Sequence, residues 1–286
     1  MLEAGLADLL ALLRLERAGP DRWIGSSPED RDRRVYGGQV LAQALLAAQQ
    51  MCDECGNSLH ARSLHAYFVH AGDPQAPILY QASTLLTGEP SHLRIDAMQG
   101  DRTMSTMDAV FSADFADPVD VPMPHVAPPE RAITRSESLA LIRSRATGRF
   151  DGWNATAAPF ETRFASDIWH PSGHAPRHET WFRAAGTGAP EPMYQALALY
   201  FSDDTIMDNA LLPHGGVFAW QEIQSTSLDH AMWFHRPFDP NDWHLFAQDS
   251  PVSWGGRGFT RGVIFDRAGR PVATAAQEIL MRRRRS

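Results

Sequence analysis

His65-Ala66-Tyr67-Phe68-Val69-His70 returns, 165 positions further on, as His230-Ala231-Met232-Trp233-Phe234-His235. The offset is the same at both ends of the block. Each copy runs into an Asp-Pro turn, Asp73-Pro74 in one and Asp239-Pro240 in the other. Each then continues into an apolar, strand-like segment, Ile78-Leu79-Tyr80 or His244-Leu245-Phe246, and ends near a strand built around a Thr. Solenoid units repeat every 20–50 residues or so, roughly, so a period this long reads as two half-size folding units fused head to tail. Such a fusion turns a symmetric dimer into one chain. One copy is then free to lose its chemistry while the other keeps it.

Working outward from the first block, Val35-Tyr36-Gly37-Gly38-Gln39 opens a long Ala/Leu/Gln run ending near Met51. Its middle, Val40-Leu41-Ala42-Gln43-Ala44-Leu45-Leu46-Ala47-Ala48, is apolar on nearly all sides. A helix without a broad polar face is a buried helix. Strand patterns follow at residues 64–69, 78–86, 92–98 and 104–111, separated by short turns such as Gly100-Asp101. Around the second block the order repeats. Strand-like stretches at 162–164 and 178–183 precede a helix from Met193 to about Met207, and strands return at 225–234, 243–248, 259–265 and 271–281. Asp266-Arg267-Ala268-Gly269 is a hairpin signal between the last two. In front lie a helical pattern at 2–15 and a short strand, Arg22-Trp23-Ile24. Residues 117–129, rich in Pro and Asp, read as a linker, and 131–149 as a solvent-facing helix.

Each half is thus one long buried helix followed by antiparallel strands, an α+β pattern. Only a sheet that curls around such a helix can cover it. That is the hotdog arrangement, and two copies make a double hotdog. The expected organisation is an N-terminal hotdog over 1–116, a linker with a surface helix over 117–158, and a C-terminal hotdog over 159–286. Runs of strands without βαβ alternation argue against a Rossmann or α/β-hydrolase core. The strained Gly-x-Ser-x-Gly turn of the latter is missing as well.

Composition narrows the function classes. At 286 residues the length fits about two domains of ~150 residues. A net charge of −8 argues against a general nucleic-acid binder, which shows a basic face. No apolar stretch reaches the ~18–20 residues that cross a bilayer, so no membrane insertion is expected. Met1-Leu2-Glu3-Ala4 carries no secretion signal, which makes the cytoplasm the expected compartment. Cys52 and Cys55 lack the partners of a structural zinc site and the context of a redox pair, and read as an incidental surface feature. His65, His70, His230 and His235 read as structural hydrogen bonders rather than metal ligands, because ligands must converge. Arg257 and Arg261 read either as surface cations or as contacts for phosphates.

The blocks carry a resemblance. Val35-Tyr36-Gly37-Gly38-Gln39-Val40 with Ala42-Gln43-Ala44, then Leu64-His65-Ala66-Tyr67-Phe68, resembles the N-terminal half of the type II acyl-CoA thioesterases. Leu228-Asp229-His230-Ala231-Met232-Trp233-Phe234-His235-Arg236-Pro237-Phe238, with Arg257-Gly258-Phe259 and Gln277-Glu278, resembles their C-terminal half. The likeness runs over nearly the whole chain. It implies a double hotdog that hydrolyses fatty acyl-CoA to free acid and CoA, with no cofactor beyond the CoA of the substrate, and a homodimer or homotetramer. It also implies a catalytic set of Asp203, Ser227 and Gln277. Ser227 stands where the family often has Thr, and its neighbour Thr226 is the alternative hydroxyl. Thr87-Gly88-Glu89-Pro90-Ser91-His92 departs from the family's Asp-Gly-x-Ser-Phe pattern and is one residue shorter, which leaves the N-terminal acyl or CoA contacts open.

These residue types suit the chemistry. A carboxylate accepts a proton from the attacking water, an amide and a hydroxyl orient it, and main-chain N–H groups at a helix N-terminus meet the oxyanion. Taken alone, Asp203-Asp204 is also a solvated helix turn, Ser227 a plain strand hydroxyl, and Gln277 a strand residue whose face the alternation leaves open. Self-alignment sets Arg62 opposite Ser227, Leu64 opposite Asp229 and Ala109 opposite Gln277, so the N-terminal copy carries no equivalent set. Two other readings remain. A hotdog enoyl-CoA hydratase needs an Asp/His pair, and Gly72-Asp73-Pro74 lacks the His that should follow. A non-catalytic acyl-CoA binding protein would use the same fold.

Overall fold

The computed structural model of the chain describes residues 2–28, 34–54, 59–113, 120–146 and 159–284. The first half contains α1 (Leu2–Leu12), β1 (Glu16–Gly19), β2 (Arg22–Gly25), α2 (Gly37–Glu54), β3 (His60–Phe68), β4 (Ile78–Leu86), β5 (Ser91–Gln99) and β6 (Arg102–Ser112). Next come β7 (Ile133–Thr134), α3 (Arg135–Arg145), β8 (Glu161–Phe164), β9 (Arg177–Arg183), α4 (Glu191–Thr205) and α5 (Asp208–Leu211). The chain closes with β10 (Ile223–Ser227), β11 (Asp229–Phe234), β12 (His244–Trp254), β13 (Arg257–Phe265) and β14 (Pro271–Arg283).

Among the described residues the strands make one 14-stranded sheet, ordered β1-β2-β4-β5-β6-β3-β11-β14-β13-β12-β9-β8-β7, with β10 also on β14. The repeated blocks are the seam of this sheet. β3 and β11 pair antiparallel, with His230 opposite Ala66 and Ala231 opposite His65. Under the repeat offset each of these pairs is the image of the other. That is the self-complementarity of a two-fold interface, here closed within one chain.

The sheet curls around α2 and α4, which pack against each other. Leu41, Leu45, Leu197, Leu199, Leu64 and Met232 share one apolar cluster drawn from both halves. The α+β double hotdog read from the sequence is the observed fold. α2 is buried along an unbroken run of residues, as its missing polar face predicts. Its internal glutamines are tied in place: Gln43 donates to the Leu12 carbonyl at 2.7 Å and accepts from the Tyr80 hydroxyl at 2.7 Å.

Several local expectations change. The solvent-facing helix expected over 131–149 starts later, at Arg135, because Thr134 and Glu137 form a capping box. It also buries Ser138, Leu139 and Ile142, so it is half-covered rather than free in solvent. Residues 147–149 lie outside the described residues, as do parts of the linker at 117–119 and 147–158. Cys52 is no surface feature: it sits in the last turn of α2 at 2 % exposure, and Cys55 lies outside the described residues. The strand expected over 225–234 is two strands. Leu228 interrupts it, its N–H donating to the Glu278 carbonyl and its own carbonyl accepting from Phe68. The C-terminal central helix ends at Thr205, two residues early. Among the described residues, no helix is long and apolar enough to cross a membrane.

Candidate active site

The N-terminus of α2 faces the C-terminal end of α4, and glycine makes the approach possible. A Cβ on Gly38 would stand 2.6 Å from the Tyr200 carbonyl oxygen, and one on Gly37 would stand 2.8 Å from Asp203 Oδ2. Without side chains there, the Gly38 N–H donates to Asp203 Oδ2 at 2.8 Å. The first N–H groups of a helix have no intrahelical acceptor, and the dipole favours an anion at that end. Tyr36 braces the junction: its hydroxyl donates to the Tyr200 carbonyl at 2.9 Å, and the two rings meet edge to face.

The last strand supplies the facing wall. Along β14, Ala275, Gln277 and Ile279 point inward, and Gln277 is 1 % exposed. Ser227 pairs with Ile279, while Thr226 pairs with Leu280 one position along. Adjacent strand residues point to opposite faces. Ser227 is therefore the hydroxyl on the Gln277 side, and Gln277 Nε2 donates to its Oγ at 2.6 Å.

A histidine joins the wall to the helix. His230 on β11 is wholly buried. Its Nδ1 stands 2.6 Å from Gln277 Oε1 and 4.0 Å from Asp203 Oδ1, and its Nε2 stands 2.9 Å from Ser202 Oγ. The polar set thus runs Ser227, Gln277, His230 and Ser202, with Asp203 beside it.

Electrostatics separates the two titratable members. Burial pushes the Asp203 carboxyl up to about 7, with Asp204 adding to the rise, while the Gly38 N–H and the Gln277 amide favour the charged form. Burial pulls His230 down to about 4, against the Gln277 contact and Asp229, which favour its cation. Near neutral pH the pair is a neutral imidazole beside a carboxylate that titrates. Asp203 Oδ2 is held by Gly38. Oδ1, buried, has no hydrogen-bond partner among the described residues. A carboxylate poised near 7 with one unengaged oxygen is suited to take a proton from a bound water.

All three residues that the resemblance implies are in this wall and helix end. Three others were missed: Gly38, Ser202 and His230. His230 was read as a structural hydrogen bonder, which the same bonds describe equally well. Gly38 had a signal in the Gly37-Gly38 pair opening a buried helix. Main-chain N–H groups at a helix N-terminus are expected to meet the oxyanion; at the N-terminus of α2 the Gly38 N–H is engaged by Asp203. The other histidines of the two repeated blocks bond elsewhere: His65 to Asp229 at 3.2 Å, His70 to the Thr103 carbonyl at 2.8 Å, and His235 to Thr274 at 2.8 Å. Arg257 pairs with Glu278, and Arg261 with Asp249. Opposite Ser227 in the repeat, Arg62 bonds Ser112 and the Ala113 carbonyl.

A family model for acyl-CoA thioesterase matches residues 160–280, and one for the acyl-CoA thioesterase N-terminal domain matches residues 26–113. The chain is 36 % identical over 282 residues to acyl-CoA thioesterase 2 of Haemophilus influenzae, covering 97 % of this chain and 98 % of that one. The chain belongs to the acyl-CoA thioesterase family. Its enzyme class is accordingly thioester hydrolase. Among solved structures, a tesB protein of Mycobacterium avium subs paratuberculosis superposes with a TM-score of 0.78 at 28 % identity, over 97 % of this chain and 99 % of that one. A protein with a hot dog fold from Alicyclobacillus acidocaldarius has a TM-score of 0.74 at 16 % identity, over 96 % and 98 % of the two chains. At that identity the likeness speaks for the fold alone. In this thioesterase-family chain the junction of α2, α4, β11 and β14 is where chemistry and geometry coincide.

Proposed function

We propose that this chain hydrolyses fatty acyl-CoA thioesters to free fatty acid and CoA, using a water activated by Asp203 and positioned by Ser227 and Gln277. The observation that carries the reading is the buried Asp203 carboxyl, raised to about 7, one oxygen fixed by Gly38 and the other unengaged beside the Gln277–Ser227 pair. Asp203 takes a proton as the water oxygen bonds to the thioester carbon. The C–S bond then breaks, and the leaving thiolate of CoA takes up the proton. No covalent intermediate and no cofactor enter these steps. The catalytic set belongs to the C-terminal unit, 159–286, and the N-terminal unit, 1–116, serves as a scaffold or acyl-binding half. It nevertheless supplies the Gly38 N–H that orients the base. A homodimer or homotetramer completes the reading on family grounds, and the expected compartment is the cytoplasm.

The hydratase reading loses ground. Asp73, its candidate acid, caps an exposed turn, accepting from the Gln75 N–H at 2.9 Å, and is bonded to Gln99 rather than to the buried polar set. Thiol release from a series of acyl-CoAs, followed with a thiol reagent, tests the proposal directly. Asp203→Asn should lower turnover by about 10²–10⁴. Folded protein that liberates no thiol from any acyl-CoA would leave a binding protein instead.

A further inference from the structure

His230 is wholly buried, in the block that reveals the repeat, and the proposed base and its two partners leave it without a task. We propose that His230, locked by Ser202, is the positioning residue that fixes which end of the Gln277 carboxamide faces Asp203 and Ser227. The proposal rests on Asp203 being the base.

A carboxamide has a donor end and an acceptor end of nearly the same shape, so something must choose between its two orientations. His230 is neutral near pH 7, because burial lowers its pKa to about 4, and therefore carries one ring proton. With Oε1 of Gln277 2.6 Å from Nδ1, that proton sits on Nδ1 and is donated to the amide oxygen. The Gln277 NH₂ then faces Ser227, where it donates at 2.6 Å. The same amide favours the charged form of Asp203. The opposite tautomer would turn the carboxamide over and aim its oxygen at the carboxylate.

Ser202 braces the ring on its other side. Its hydroxyl lies 2.9 Å from Nε2 and also 2.9 Å from the Leu199 carbonyl. With the ring proton on Nδ1, Nε2 can only accept, and the single Ser202 proton is shared between it and the Leu199 carbonyl. Ser202 immediately precedes the base on α4, so one helical turn holds both the carboxylate and the group that orients its partner. The charged and titratable groups around this pair are Asp203 and Asp204 on α4, Asp229 on β11 and His65 on β3.

His230→Asn and His230→Leu separate positioning from mere packing. Asn places an amide N–H where Nδ1–H was, and Leu offers none. His230→Leu should lower kcat by about 10²-fold with KM little changed, as displaced supporting groups do. Its acid limb, set by Asp203, should move to higher pH, because the Gln277 amide that favours the charged carboxyl is no longer held facing it. His230→Asn should stay within about tenfold of the parent kcat, with the limb in place. Ser202→Ala, which removes only one hydroxyl, should shift the limb the same way as His230→Leu, and it decides the matter should the Leu variant fail to fold. A folded His230→Leu or Ser202→Ala with the parent's kcat and acid limb overturns the proposal. So does a His230→Asn as impaired as the Leu variant with neither limb displaced. Asp203→Asn run alongside keeps the two failures apart. If it retains turnover, the base is misassigned. If it is inactive while His230→Leu is normal, only the role of His230 falls.

Discussion

Asp203 is a carboxyl that the fold makes basic, and its pH dependence follows in sign. As the proposed base, Asp203 works deprotonated, so kcat should rise with pH through about 7, the position to which burial moves the group. A pH–rate profile measured on the folded enzyme checks this, and a limb near 4 would place the base elsewhere. The same shift acts on stability. A carboxyl whose folded pKa is raised favours the native state only while protonated; that advantage is complete below its unfolded value near 4 and gone above about 7. Asp203→Asn should therefore raise the Tm at pH 8 and leave it unchanged near pH 4, provided both proteins remain folded there. Calorimetry at the two pH values reads the difference directly. An active site that is a stability liability is the expected trade. At this scale the sequence supplied Asp203, Ser227 and Gln277 through family likeness, and alternation along β14 could not choose a face for Gln277. Burial chose it. His230 escaped because a buried histidine that orients a partner makes the same bonds as one that only packs.

Elements place these groups by how closely they approach. The α2–α4 contact depends on Gly38, where a methyl would meet the Tyr200 carbonyl at 2.6 Å and the Tyr36 ring at 2.7 Å. Gly38→Ala should push the helix ends apart, stretch the N–H bond to Asp203 and lower kcat by about 10-fold or more, since displacements of about 1 Å at a site are costly. Steady-state kinetics on a variant with native circular dichroism tests it, and parent-like kcat would show that the junction tolerates the methyl. α3 offers the contrasting case. Thr134→Ala removes a capping box and should cost about 1 kcal/mol, read as a lowered Tm, while kcat stays put. The buried helices and most strands were legible because apolar runs and period-two alternation are local signals. β1 was not, because Glu16-Arg17-Ala18-Gly19 has no apolar alternation and owes its strand form to pairing with β2.

Over the whole molecule the halves are inseparable. β3–β11 pairing makes one sheet, and a single apolar cluster takes residues from α2, α4, β3 and β11. Unfolding should accordingly be one cooperative event. Buried tryptophans report on both halves, Trp23 in the first and Trp169, Trp181 and Trp243 in the second. Urea unfolding followed by fluorescence and by far-ultraviolet circular dichroism should give coincident transitions. Two resolved steps would mean that each unit stands alone and that the seam contributes little.

The repeated block determined the duplication, and the apolar helices determined that a sheet must wrap them; both are statements about local pattern and need no coordinates. What the tertiary structure alone decided is which groups meet. Gly38 and Asp203 stand 165 positions apart, the offset of the repeated block, yet one opens its helix and the other lies near the end of its own, so the repeat does not encode the 2.8 Å bond between them. The repeat itself hides this, because it aligns strand with strand, whereas the candidate site forms where one unit's helix N-terminus meets the other unit's helix end. Burial follows from that meeting, and burial is what raises the Asp203 carboxyl to about 7.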